Sequence, residues 1–195
     1  DPLNLPVGET VVVPLSFKVV PDNIPITYEV LLFCIEGLKA RYPFITSKSI
    51  GKSVMGRDIL SLKLGRGAKQ LFYNASHHAN EWITTNVLLY FLEEYAFSVA
   101  NGKTLFRQSA QTLFENSTLF LVPMVNPDGV DLATGWLNSG EFYNKAVRIS
   151  EDFPEIPFPT GWKANIVGTD LNLNYPALWE RAKQIKYSLG FDRPA

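Results

Sequence analysis

The sequence predicts an α/β fold with a mixed, mainly parallel sheet flanked by helices. Short apolar runs of strand type alternate with segments whose apolar residues recur every three or four positions. The chain has 195 residues, of which 46% are hydrophobic and 19% charged, so it has the means to bury a core as about one domain. It carries 18 basic and 19 acidic residues, for a net charge of −1, with no run of Lys or Arg. That balance disfavours nucleic acid as a partner, because a polyanion selects clustered cations.

The first 25 residues hold five of the 13 prolines around Thr10-Val11-Val12-Val13, which reads as one strand followed by a linker near Pro14 to Pro25. From Thr27 to Arg41 the positions Val30, Leu31, Cys34, Ile35 and Leu38 follow helical spacing. Tyr42-Pro43 stops that helix, because proline disfavours α geometry in the residue before it. Phe44 to Gly51 and Ile59 to Leu64 read as strands of a hairpin around Ser53–Asp58, and Leu71–Ala75 as a third strand. A long helix is expected from Glu81 to about Val99, with Ile83, Val87, Leu88, Phe91, Leu92, Tyr95 and Val99 as its apolar stripe and Asn101-Gly102 as its stop.

Leu105 to Glu115 reads as a further helix, Leu119 to Val125 as a buried strand, and Asn126-Pro127-Asp128-Gly129 as a turn. Between Asp131 and Gly161 no periodicity is evident, and a connection of that length is commonly functional or flexible. A strand near Asn165 to Val167, a polar turn over Gly168–Asn174 and a helix near Ala177 to Leu189 complete the reading.

No stretch approaches the ~18 consecutive apolar residues of a membrane span. The single cysteine, Cys34, reads as a small apolar helix residue. The only two histidines, His77 and His78, are adjacent, which excludes chemistry that draws on several imidazoles within this chain.

His77-His78-Ala79-Asn80-Glu81-Trp82 falls where the third strand gives way to the long helix. Ligands in open α/β sheets gather at the carboxyl ends of strands. His78 and Glu81, three residues apart, are placed to converge on one metal ion. A carboxylate in a first helical turn also serves the helix dipole by ~0.3–1 kcal/mol without any metal, and both readings of Glu81 stand.

An ordered set of segments resembles the zinc carboxypeptidase family. His78-Ala79-Asn80-Glu81-Trp82 matches its His-x-x-Glu-Trp zinc motif, and Asn126-Pro127-Asp128-Gly129 follows a buried strand. Trp162-Lys163-Ala164-Asn165 comes next, and Gly168-Thr169-Asp170-Leu171-Asn172-Leu173-Asn174-Tyr175 matches the block Gly-Val-Asp-x-Asn-Arg-Asn-aromatic. The phrases Ser76–Trp82 and Trp162–Asn165 look most like the bacterial γ-D-glutamyl-L-diamino acid endopeptidases, which cut peptidoglycan stem peptides. Leu5–Pro14 looks like the last strand of a LysM module. The resemblance thus divides the chain into a terminal LysM-like strand at 1–14, a linker at 15–25 and the N-terminal part of a catalytic domain at 26–195.

That resemblance implies zinc as cofactor, with His78 and Glu81 as ligands and a peptidoglycan stem peptide as substrate. It also implies an extracellular, cell-wall-associated or spore-associated location. Lys163 falls where the family places the cation that stabilises the tetrahedral oxyanion; a solvated surface charge is the alternative. Asn172 matches a substrate-contacting asparagine, and a turn residue bonding its own backbone is the alternative.

Two departures bear on specificity. Leu173 stands where carboxypeptidases carry the arginine that clamps a substrate's terminal carboxylate, and leucine offers no donor for that contact. Asn80 stands where they often have a second arginine. Both weigh against an ordinary metallocarboxypeptidase. A third departure is the lack of any histidine after His78, which leaves two named ligands where a catalytic zinc usually has three. The third ligand and the general base are therefore expected outside this chain, in a C-terminal companion segment. A catalytically inert relative with a binding or structural role is the competing reading.

Overall fold

A computed structural model describes Pro14 and residues 16–190; the strand expected at 10–13 and the LysM-like segment lie outside the described residues. The first regular element follows from a cap. The Thr27 side chain accepts the Val30 N–H, and helix α1 (Tyr28–Arg41) opens with Glu29 in its first turn and closes with Lys39 and Arg41 in its last, the charge order that the helix dipole favours. It stops at Tyr42, before Pro43, and buries Leu31, Cys34, Ile35 and Leu38. Burial pushes the Cys34 thiol up to about 11, consistent with an inert packing residue.

Strands β1 (Thr46–Lys52) and β2 (Asp58–Gly65) pair antiparallel as the expected hairpin. Its turn is closed by Ser53 N donating to Arg57 O at 2.8 Å, with Gly56 at φ 80°. Strand β3 (Lys69–Asn74) is followed by a 3-10 turn at Ala79–Glu81 and then by helix α2 (Ile83–Ala100). Glu81 therefore sits in the 3-10 turn ahead of the helix and not in its first α turn.

The helix expected over Leu105–Glu115 begins only at Ala110. Strands β4 (Thr104–Leu105) and β5 (Gln108–Ser109) form a small ribbon first, with Phe106 and Arg107 at φ 50° and 65°, a geometry that no α-helix accommodates. Ser109 then caps helix α3 (Ala110–Asn116). Strand β6 (Ser117–Val122) is buried along most of its length.

The sheet order is β1-β2-β6-β3. It is mixed, as expected: β3 and β6 run parallel, while β1–β2 and β2–β6 are antiparallel, so antiparallel pairing has the larger share among the described strands. The main core joins Leu31, Ile35 and Leu38 of α1 and Leu89 and Leu92 of α2 to Leu62, Leu64 and Leu121 of the sheet.

Asn126-Pro127-Asp128-Gly129, expected as a turn, instead opens helix α4 (Pro127–Ala133): Asn126 Oδ1 accepts the Gly129 N–H at 3.1 Å and Pro127 takes the first helical position. Helix α5 (Glu141–Ser150) lies in the stretch expected to be irregular, with Ala146 buried and Phe142, Tyr143, Val147 and Ile149 half-buried. The strand expected at Asn165–Val167 is a turn, because Asn165 Oδ1 takes the N–H groups of both Val167 and Thr169. Helix α6 (Trp179–Ser188) falls inside its expected range. A second apolar cluster of Ala79, Leu132, Ala133, Ala146, Trp162 and Ile166 fastens these later segments under the 3-10 turn. No helix among the described residues is long and apolar enough to cross a membrane.

An ion-pair network ties the hairpin to both α1 and α4. Arg57 lies 2.8 Å from Asp131 Oδ2 and 3.7 Å from Asp128 Oδ1, donates to Pro127 O at 3.1 Å, and stacks over the Tyr28 ring at 5.1 Å. Tyr28 N donates to Asp131 Oδ1 at 2.8 Å, while Ser53 Oγ and Met55 N donate to the two oxygens of Asp128. Burial pushes the Asp131 carboxyl above its usual range, against the opposing pull of the Tyr28 N–H and Arg57.

Helix α2 buries a different face from the one its apolar residues mark. Thr85, Asn86, Leu89, Leu92, Glu93 and Ala96 point inward, while Ile83 and Val87 are exposed. The inward polar groups are satisfied: Thr85 Oγ1 donates to Pro123 O, Asn86 Nδ2 donates to Ile24 O, and Glu93 accepts the Val19 and Val20 N–H groups. Residues 16–25 are thereby tied to α2. Val87 lies on the same flank as Tyr73 of β3, which is also exposed and stands 6.3 Å from the Phe91 ring, and a groove there is lined by Tyr73, Val87, Leu88 and Phe91. This apolar groove is expected to make the chain bind a hydrophobic fluorescent dye in its native state; a Tyr73→Lys, Val87→Lys double variant that leaves the signal unchanged would show that the dye binds elsewhere.

Candidate metal centre

Strand β3 ends at Asn74, and the chain crosses to the 3-10 turn through Ala75, Ser76, His77 and His78. The crossing is built by backbone pairing: Ala75 N donates to Val122 O, and Val125 N and Asn126 N donate to Ala75 O and Ser76 O, each at 3.0 Å. Ser76 adopts φ 51°, and its Oγ sits 2.7 Å from Thr85 Oγ1. These bonds place His78 at the carboxyl end of a strand inside a parallel pair, the position expected for a site.

His78 Nδ1 lies 3.0 Å from Glu81 Oε1, and His78 Nε2 lies 3.2 Å from Asp170 Oδ1. With Asp170 accepting the Nε2 proton, Nδ1 turns its lone pair toward the Glu81 oxygen, so two donors converge on one point. A carboxylate behind the imidazole is the arrangement that fixes ring orientation and tautomer in metal sites. Asp170 is itself held, its Oδ1 accepting the Asn172 N–H at 3.0 Å. Asp170 lies in the Gly168–Tyr175 block, but an acid 92 positions from its histidine leaves no local spacing signal.

His77 points elsewhere. Its Nε2 is 2.7 Å from Tyr175 Oη, and burial, with the neighbouring His78 second, lowers its pKa from the usual value. It ties the turn after Asp170 to the His77-His78 segment and leaves Glu81 to His78. Among the described residues, no set of three or more His, Cys, Asp or Glu side chains converges to hold a metal.

Lys163 is brought to the centre through its backbone, whose carbonyl accepts the Ala79 N–H at 2.9 Å. Its side chain is exposed and lines a cleft together with Asp170. Asn172 and Leu173 lie on an exposed 3-10 turn, Leu171–Leu173. Asn172 joins the cluster through its backbone N–H, which donates to Asp170 Oδ1. Asn80 Oδ1, between the two donors in sequence, is buried without a hydrogen-bond partner among the described residues.

Asn126 clamps the whole centre. Its Nδ2 donates to His77 O at 3.2 Å and Ala164 O at 2.9 Å, while its Oδ1 caps α4. Gly129 is required beneath it, since a Cβ there would stand 2.5 Å from Asn126 Nδ2 and 2.7 Å from Ala164 O. Gly129→Ala is accordingly expected to cost about 1–3 kcal/mol by overpacking, read as a lowered urea midpoint. An unchanged midpoint would mean that the clamp yields freely.

The comparisons with known proteins fit this geometry. A family model described as zinc carboxypeptidase matches residues 32–189. The chain belongs to the zinc carboxypeptidase family. Gamma-D-glutamyl-L-diamino acid endopeptidase 1 of Lysinibacillus sphaericus is 38% identical to it over 167 residues, covering 85% of this chain and 41% of that protein. The uncharacterized protein YqgT of Bacillus subtilis is 44% identical over 151 residues, covering 74% of this chain and 39% of that one. The chain thus spans about two fifths of the length of these curated relatives. Among solved structures, thrombin activatable fibrinolysis inhibitor superposes with a TM-score of 0.60 at 22% identity, covering 78% of this chain and 35% of its own; that likeness is one of fold.

For a member of the zinc carboxypeptidase family the implied metal is zinc. An imidazole nitrogen and a carboxylate oxygen 3.0 Å apart, with a second carboxylate on the far ring nitrogen, suit zinc in donor type and in supporting shell. They would supply two of the three protein ligands that a catalytic zinc usually takes.

Proposed function

We propose that this chain is the N-terminal portion of a zinc peptidase that hydrolyses the γ-D-glutamyl–diamino acid bond of peptidoglycan stem peptides, in an extracellular, cell-wall-associated or spore-associated location. The observation that carries the zinc reading is the triad Glu81–His78–Asp170, in which one imidazole is held between two carboxylates at 3.0 and 3.2 Å. The relative of Lysinibacillus sphaericus, whose name states that bond, supports the substrate.

Zinc, when bound, supplies a Lewis acid and a more acidic water. His78 offers Nδ1 and Glu81 offers Oε1 to hold it, and Asp170 keeps the imidazole from rotating. Lys163 carries a positive charge on the rim of the centre, where it stabilises an oxyanion as charge develops there. The third ligand and the general base come from polypeptide outside the described residues.

Specificity is assigned to two side chains that cannot act as arginines. Leu173 is exposed and apolar, and Asn80 presents an amide whose oxygen has no partner among the described residues. Neither gives the bidentate contact that a free terminal carboxylate requires. Incubating the protein at the full length of its relatives with zinc and a γ-D-glutamyl-diamino acid peptide tests the proposal by mass spectrometry. Cleavage of that bond is expected, with ordinary peptides left intact at their C-termini. Release of C-terminal residues from ordinary peptides would establish a carboxypeptidase instead, and no cleavage of either would establish an inert relative.

A further inference from the structure

We infer that the apolar cleft beside Lys163 and Asp170 is a binding subsite for a carboxylate bearing an uncharged aliphatic chain of about four to six carbons. The inference rests on the peptidase reading only in taking that chain to be part of the substrate held next to the metal donors.

The cleft lies between the end of α5 and the segments around residues 153–164. Its walls include Ile149, Phe153, Ile156, Phe158, Trp162 and Ala164, and Lys163 and Asp170 also line it. Its volume is about 190 Å³. At ~30 Å³ per water molecule in the liquid this is room for roughly six waters; it is smaller than the ~300–1,000 Å³ of sites for drug-sized ligands and suits one side chain or short acyl chain. An interior this apolar excludes a charged chain end, since burying an unpaired charge is strongly unfavourable.

The walls are formed before any ligand arrives. Trp162 is buried and its Nε1 donates to Asn165 O at 3.1 Å. Phe158 stands edge-on to Trp162 at 5.9 Å and packs against Tyr143 at 5.8 Å. The segment closes on itself at Gly161, where a Cβ would stand 2.7 Å from Ile156 Cγ2 and 2.8 Å from Pro157 O. A loop that needs glycine at its closing point, and is pinned by an indole hydrogen bond, keeps its shape.

The lining also sets the charge of the ligand. Asp170 Oδ1 is engaged by His78 Nε2 and the Asn172 N–H. Lys163 enters no ion pair among the described residues, and its carbonyl is bonded to Ala79 N in the donor turn. The lining therefore holds one carboxylate whose Oδ1 is already engaged and one cation with no ion pair among the described residues, and a ligand carboxylate is the complement of that cation. Asp170 belongs to both the cleft lining and the His78 pair, so a ligand in the cleft lies alongside the centre.

The test uses this chain without metal and without turnover, so its outcome is separate from that of the hydrolysis assay. Acetate, butyrate, hexanoate and octanoate are titrated while the Trp162 indole N–H is followed by NMR. Affinity is expected to rise about threefold to fourfold per methylene up to hexanoate and to level off at octanoate once the cleft is full. Ile156→Trp is expected to abolish the chain-length dependence, and Ile156→Ala to move the plateau to a longer chain. Lys163→Gln is expected to erase the preference for hexanoate over hexanol. Affinity independent of chain length, or a length dependence that neither Ile156 variant alters while both keep the native NMR spectrum, would overturn the inference. So would an equal preference for hexanol in the unaltered chain.

Discussion

Arg57→Ala is expected to lower the unfolding free energy by about 3–5 kcal/mol, the usual cost of removing one partner of a buried ion pair. Asp131 is fully buried and Asp128 nearly so, and Arg57 is the cation that faces both. The loss comes chiefly from the stranded carboxylates. The deficit should also depend on pH with a definite sign. The folded Asp131 carboxyl already titrates above its ordinary value of 3.8 because it is buried, so the stability it supplies is complete below that value and is lost as pH rises through the higher folded value. Removing Arg57 raises the folded value further. Urea melts should therefore show the variant's deficit at its largest near neutral pH and shrinking as the solution is acidified through the carboxylate range. A deficit that grows on acidification, or one under about 1 kcal/mol at neutral pH, would mean that Arg57 is not the counter-charge of this pair.

The second large effect is on zinc. Asp170→Asn is expected to weaken zinc binding by about 10–100-fold, as loss of an outer-shell carboxylate usually does, and His78→Ala to remove measurable binding. With only two converging donors, the unaltered chain is expected to bind zinc weakly, so competition against a chromophoric chelator at several concentrations is the suitable measurement. Asparagine keeps an oxygen for the Asn172 N–H and for His78 Nε2, so the fold should persist and its melting curve serves as the control. Equal zinc affinity in Asp170→Asn and the unaltered chain would detach Asp170 from the centre.

Much of this molecule was legible in its sequence, for identifiable reasons. The hairpin, β3, β6 and helices α1, α2 and α6 follow from periodicity and from Pro43, Gly56 and Gly102, which act locally. His78 and Glu81 were legible because three residues of chain separate them. What escaped depends on distant partners. The burial of Thr85, Asn86 and Glu93 in place of Ile83 and Val87 is set by Pro123 O, Ile24 O and the Val19 and Val20 N–H groups, and no helical stripe announces those. Asn126-Pro127-Asp128-Gly129 has the composition of a turn and also of a capped helix start; the buried bonds of Asp128 and the clamp made by Asn126 decide between them. Helix α5 does carry apolar residues at helical spacing, Phe142, Tyr143, Ala146, Val147 and Ile149, but it is only ten residues long and buries only Ala146 fully, so its periodicity is weak beside the Gly- and Pro-rich segments that flank it.

The distances along the chain that the centre has to close bear on when it forms. His78 and Asp170 are 92 residues apart, and Tyr28 and Asp131, whose bond anchors α4, are 103 apart. Each closure sacrifices chain entropy before any contact compensates for it, and contacts between remote residues are the slow ones in folding. In a chain emerging from the ribosome, His78 and Glu81 are synthesised long before Asp170 and meet solvent as two unrestrained side chains. On the proposed zinc reading, metal capture belongs to a late stage of folding, after the α4 segment has docked, and the metal would close a structure that hydrophobic packing has already assembled.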